Sequence, residues 1–167
     1  MNINRRSGFT LIEILIVVAI IAILASVVLV GLGPTQQAGR DARRLSDLRE
    51  VQNGLELYYN SCGYYPGTDS AAPCVGYTAV GGYVALTGIL KNFKALGVGA
   101  VPDDPTAGHH YRYSVIPTSG SGYVLGTTLE NPSNSVFSNY EAPTNLSAYT
   151  DGDAVGTCTT PNYCITL

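Results

Sequence analysis

The sequence predicts an α+β chain, with one long N-terminal helix packed on a small antiparallel sheet of three to four strands. Three observations predict it. A run without charge, except for Glu13, fills Gly8–Leu32. Apolar residues then recur at steps of three and four through residues 35–60, as on one face of a helix. Farther on, Tyr111–Ile116 and Tyr123–Glu130 alternate, and the P-T-S-G-S-G connection between them reads as the turn of a hairpin.

The apolar run comes first. At ~1.5 Å per residue, a helix over it is long enough to cross the ~30 Å hydrocarbon core of a bilayer. A carboxylate deep in that core costs ~2.5–3.5 kcal/mol, and less near the edge. The leucines, isoleucines and valines around Glu13 offer it no partner. A free α-amino group is cationic at neutral pH, and cleavage between Gly8 and Phe9 creates one a single turn away. The amine of a neighbouring copy would serve as well. It would fix the axial register of helices that van der Waals contacts alone leave free to slide.

At these residues Arg5-Arg6-Ser7-Gly8-Phe9-Thr10-Leu11-Ile12-Glu13 resembles the cleavage and methylation site of type IV prepilins and type II secretion pseudopilins. The resemblance implies a membrane peptidase that cuts after Gly8 and N-methylates Phe9. It also implies that Glu13 assists assembly. The expected partners are the prepilin peptidase/methyltransferase, an inner-membrane assembly platform, the membrane before assembly, and further copies of the chain in a helical filament. Two plainer readings compete. A secretory signal peptide would be cleaved near Ala22–Ser26, but its apolar core is ~7–15 residues and carries no carboxylate. In a simple membrane anchor, Glu13 would merely snorkel.

The resulting division is a leader at 1–8, a transmembrane and filament-core helix at 9–32, an amphipathic continuation at 33–60 and an extracellular globular head at 61–167. Arg5 and Arg6 precede the span, so the positive-inside rule puts the N-terminus in the cytoplasm and the head outside. The 167 residues carry a formal net charge of -3. Removing residues 1–8 takes both arginines and leaves seven basic against twelve acidic residues, a net charge of -5. Such a mildly acidic, tyrosine-rich head suits a cell surface and does not indicate nucleic-acid binding.

Gly31, Gly33 and Pro34 interrupt the helical pattern, and proline in a helix interior loses a hydrogen bond and clashes with the preceding turn. A kink or local unwinding is expected there; a simple helix end, with Pro34 opening the next helix, is the alternative. Beyond it, Ala38, Ala42, Leu45, Leu48, Val51, Leu55 and Tyr58 or Tyr59 form the stripe expected to face the sheet. Arg40, Arg43, Arg44 and Arg49, with Asp47 and Glu50, populate the other faces. A solvated face with local ion pairs is preferred for them over a site for anionic headgroups or a partner's carboxylates.

Cys62, Cys74, Cys158 and Cys164 suit two disulfides in an exported head. Three pairings are possible. Sequential closure into two short loops is preferred, and a C-terminal disulfide loop also resembles pilins. Zinc is disfavoured because neither spacing is the tight C-x₂₋₄-C form. Thr68–Gly82 reads as loop and Tyr83–Leu96 as an amphipathic helix capped by Gly97. Val101-Pro102-Asp103-Asp104-Pro105-Thr106-Ala107-Gly108-His109-His110-Tyr111-Arg112-Tyr113 resembles the D-P-x-x-G-x-x-Y-x-Y passage of the major type II pseudopilin, with Thr106 where an aromatic residue often stands. Ser135–Tyr140 and Leu146–Thr150 are possible further strands.

Catalytic motifs are missing from the sequence: it has no nucleophile elbow, Walker loop or H-E-x-x-H. His109 and His110 read as the end of a turn. Asp151-Gly152-Asp153 offers oxygen ligands for calcium, as acidic loops near the C-terminus do in the resembled pseudopilins, but lacks the rest of a calcium loop. A polar turn is preferred there and no cofactor is required. The expected function is that of a structural subunit of a type IV pilus-like filament. A G-like type II secretion pseudopilin in a short periplasmic piston is the first alternative, and a membrane-anchored binding domain that never polymerises is the second.

Overall fold

The computed structural model describes residues 8–67, 74, 82–92, 101–116, 120–149, 151–153 and 156–167. Arg5 and Arg6, most of the loop at 68–81, the stretch Phe93–Gly97 and the hairpin tip at 117–119 lie outside the described residues. The chain divides into two compact units, Met1–Gln37 and Ala38–Leu167. Each is described by itself.

Helix α1, Leu11–Cys62, begins in the first unit and ends in the second. In the first unit, every described residue from Gly8 to Val28 is exposed, so the whole apolar surface of this segment is uncovered. By length and composition it can cross a membrane. Gly31, Gly33 and Pro34, where a kink or local unwinding is expected, all lie inside the span of α1.

The second unit is an α+β head. Its sheet has four antiparallel strands in the order β3-β1-β2-β4. Strands β1 (Arg112–Val115) and β2 (Tyr123–Thr128) form the expected hairpin, with Tyr113 opposite Leu125. Strand β3 is only Asp151–Gly152 and pairs with β1; β4, Asn162–Thr166, pairs with β2 along its whole length. Helix α2 covers Gly82–Asn92.

Two expected strands are corrected. Ser135–Asn139 and Leu146–Ala148 are short 3-10 helices. The Asn134 side chain accepts from the Val136 N–H at 3.1 Å and turns the chain into the first of them. Such local side-chain bonds compete with a ladder, and Pro132 and Pro143 withhold donors on either side. The third and fourth strands lie later in the chain, where β3 starts one residue after the stretch expected to be a strand.

Alternation gives the sheet two faces. Tyr113, Val115, Tyr123 and Leu125 meet Leu48, Val51, Leu55 and Tyr58 of α1, and Leu86 and Leu90 of α2, in one buried core. The other face is smaller: Val124, Cys158 and Cys164 are covered by Leu146 and Tyr149. Tyrosine fills much of the main core and packs edge-on, as with Tyr65 against Tyr123 at 4.6 Å and Tyr83 against Tyr111 at 5.3 Å between centroids.

The buried stripe of α1 departs from expectation at its lower end. Stepping back from Tyr58 by three and four gives Leu55, Val51, Leu48, Arg44 and Asp41, all of them buried, with Gly54 and Asp47 buried beside them. Ala38 and Ala42 are exposed and Leu45 is half-buried. The helix thus buries charge, not alanine, where it meets the base of the head.

Candidate functional site

Gly8, Phe9 and Thr10 precede α1 without regular structure, and Phe9 is 84% exposed. A peptide bond in extended, uncovered chain is open to a peptidase. Glu13 stands in the first helical turn. Its Oε2 accepts from the backbone N–H and the hydroxyl of Thr10, each at 2.8 Å. The Glu13 N–H in turn donates to Thr10 Oγ1 at 3.4 Å. Thr10-x-x-Glu13 is therefore a capping box, which satisfies donors that a helix start leaves unpaired. The expectation that Glu13 lacks a local partner needs correcting. The S/T-x-x-E spacing of Thr10 and Glu13 is the sequence signature of this box. Phe9 lies just before the helix whose first turn holds Glu13.

In the head, the expected solvated arginine face is corrected at Arg44. Arg44 is buried, with 3% of its side chain exposed. Its guanidinium donates to Asp41 at 2.8 Å, to both oxygens of Asp104 at 2.8 and 3.1 Å, to Glu130 at 2.8 Å and to the Thr106 hydroxyl at 2.8 Å. Asp41 also accepts from the backbone N–H groups of Glu130 and Asn131 at 2.9 and 3.0 Å. Arg40 grips Glu130 with two donors, the Nε bond being 2.7 Å. One cluster thus joins α1, the turn 104–106 and the chain leaving β2. Burial alone penalises such charges, so their number is tolerable only because nearly every lone pair is used.

The electrostatic consequences follow. Hydrogen bonds from Arg40, and then from Arg44, pull the Glu130 carboxyl down to about 2. Burial opposes the charge of Asp104, but the Arg44 bonds and the Thr106 N–H outweigh it and hold the carboxyl below its ordinary value. Tyr111 donates to Asp47 at 2.7 Å, and burial, then that bond, push its phenol well above the ordinary range. Arg43 remains 61% exposed and meets Asp47 at 3.5 Å, an ordinary i,i+4 pair. Arg49 is exposed.

Thr106, which stands where the resembled passage often has an aromatic residue, supplies an acceptor to Arg44. A groove of about 740 Å³ opens beside it, lined by Arg40, Ala107, His109, Thr128 and Glu130 among others. His109 closes the turn through its N–H to the Thr106 carbonyl at 3.0 Å, and His110 Nδ1 lies 2.6 Å from Asp103. Both histidines thus belong to the turn.

The cysteines pair sequentially, Cys62 with Cys74 and Cys158 with Cys164. The first fastens the chain that follows α1 back to the helix end. The second closes a loop onto β4 under the outer face of the sheet. Asp151 enters β3 opposite Val115 through its backbone, and the Asp153 carboxylate meets the start of α2.

Comparison with known proteins places these features. Residues 3–29 match the family model described as the prokaryotic N-terminal methylation motif. The type II secretion system core protein G of Aeromonas hydrophila is 35% identical over 66 residues, 40% of this chain and 46% of that protein. The core protein G of Escherichia coli is 26% identical over 128 residues, 71% of this chain and 85% of that protein. That of Vibrio cholerae is 33% identical over 66 residues, 40% of this chain and 45% of that protein. The chain thus spans under half the length of the Aeromonas and Vibrio relatives and most of the Escherichia one. No solved structure matches the chain. The prepilin-type motif at its N-terminus, core protein G among its relatives, and a long apolar helix joined to a small antiparallel sheet together support the type IV pilin and type II secretion pseudopilin family for this chain.

Proposed function

We propose that this chain is a pseudopilin of the core protein G kind, a structural subunit of a short periplasmic filament in type II secretion. The observation that carries this reading is the Escherichia relative, whose likeness extends over 71% of the chain and so past the apolar helix into the head. The comparisons favour it over the long surface pilus that the sequence first suggested.

In this reading the precursor waits in the membrane with its head outside. A prepilin peptidase cuts after Gly8 and methylates the new Phe9 amine. The uncovered helix then exchanges lipid for copies of itself, in contact with an inner-membrane assembly platform. Lipid and leucine are equally apolar, so that exchange supplies little drive and no register. A charge pair supplies the register: the Phe9 amine of one copy meets Glu13 of the next, displacing Thr10 from the carboxylate. Gly31, Gly33 and Pro34 then mark where the helix yields when subunits pack or the filament is pulled. The role is mechanical and involves no catalysis by this chain.

The closed Cys158–Cys164 loop favours the second reading, a long type IV pilus, since pilins resemble it there. Deleting the gene in its own host separates the two. The secretion reading expects exported enzymes to be retained in the periplasm while long surface fibres persist under the electron microscope. Loss of long fibres with export intact would overturn it. Restoring the gene as Glu13→Val should give a cut, membrane-inserted subunit that does not restore export. Full export from that variant would remove Glu13 from the assembly step.

A further inference from the structure

The acidic loop near the C-terminus is where the resembled pseudopilins hold calcium, and here that stretch offers Asp151 and Asp153. The surroundings of Asp153 suit an anion that the protein already supplies. Its Oδ2 accepts from the backbone N–H of Tyr83 at 2.7 Å and from that of Tyr113 at 3.2 Å. Tyr83 is the second residue of α2, so its N–H is among those that the helix start leaves without an acceptor, at the positive end of the helix dipole. The Asp153 N–H donates to the Tyr113 carbonyl at 2.8 Å, extending the β3–β1 ladder by one bond.

The approach is close. Gly82 has φ +51°, and a Cβ there would lie 1.9 Å from Oδ1, 2.1 Å from Cγ and 2.4 Å from Oδ2 of Asp153. Only glycine lets the helix start press on both carboxylate oxygens. A calcium ion takes six to eight oxygens at ~2.3–2.6 Å. At Asp153 it would face N–H donors and the positive end of a helix. Among the described residues, no group of three or more His, Cys, Asp or Glu side chains gathers that could hold a metal ion.

We infer that the N–H groups of Tyr83 and Tyr113 do here the work of a cation: they hold the Asp153 carboxylate, which docks the start of α2 onto β1, and the joint needs no calcium. The inference concerns the head alone and stands whether the filament is a pseudopilus or a pilus. Asp153 is a positioning residue in this account.

The test uses the full chain in detergent, with calcium chloride and EGTA as probes. The thermal midpoint should be the same in excess EGTA and in millimolar calcium. Asp153→Ala should lower it equally in both, and should speed amide exchange at Tyr83 and Tyr113 roughly tenfold relative to β2, as loss of a helix cap does. Asp153→Asn keeps one acceptor oxygen and should show a smaller acceleration at the same two amides. It also carries the test if the alanine variant does not fold. A saturable rise of the wild-type midpoint with calcium, lost in Asp153→Asn, would overturn the inference. So would exchange at Tyr83 and Tyr113 that neither variant changes.

Discussion

At the scale of single residues, the charges at the base of the head are the most consequential. Arg44 faces Asp41, Asp104 and Glu130, and Asp41 is wholly buried. Replacing Arg44 by methionine fills the space but takes from those carboxylates the buried cation that they share. Chemical denaturation should show a loss of about 3–5 kcal/mol, the usual penalty for breaking a buried pair from one side. Arg44→Lys should recover only part, because an ammonium cannot fork to Asp104. Acid should weaken the same joint. The Glu130 carboxyl lies below its ordinary 4.5, at about 2, in the folded head. Its contribution is therefore complete above the ordinary value and fades as pH falls toward the lowered one. Glu130→Gln should be less stable than wild type at neutral pH and should lose less between pH ~5 and pH ~2. Thr127 makes the opposite point. It is buried in β2, and among the described residues its hydroxyl has no hydrogen-bond partner. Thr127→Val should raise stability by about 1 kcal/mol in the same denaturation experiment.

Among elements, α1 was the most legible and also the most instructive. The apolar run and the three-and-four spacing of Leu48, Val51, Leu55 and Tyr58 announce a helix and its buried face. Carried two steps further, the same spacing reaches Arg44 and Asp41. Charge marks a residue as exposed by default, and here a cluster of long-range partners overrides that default. Those partners, Asp104 and Glu130, lie 60 and 86 residues away in sequence, so no local pattern reveals them. The hairpin was legible because alternation and a turn are local. Strands β3 and β4 were not: two residues show no period, and β4 is held as much by its partner strand as by its own composition. The Cys158–Cys164 bridge stands at this scale too. Replacing both cysteines by alanine frees the loop on the outer face and should cost about 2 kcal/mol, with faster amide exchange along β4.

For the molecule as a whole, the two units present opposite surfaces. The head closes its tyrosine-rich core and pairs the buried charges of Arg44, Asp41 and Asp104 within itself. From Gly8 to Val28 the apolar segment leaves every residue exposed, Thr10 and Glu13 included. A subunit that first resides in lipid and then among its own copies needs this division. The methylation motif was legible because the residues that carry it, within 3–29, are contiguous in sequence. The partners of the finished filament were not, since they depend on surfaces between molecules. The central claim is that Gly8 marks a cut which creates the amine that Glu13 requires. Intact mass of the chain recovered from its own cell membranes tests it most directly. The account predicts the mass of residues 9–167 plus one methyl group, and the uncut precursor from a variant with a bulky residue at Gly8. A native chain that keeps residues 1–8, or one shortened near Ala25 as a secretory signal would be, contradicts it.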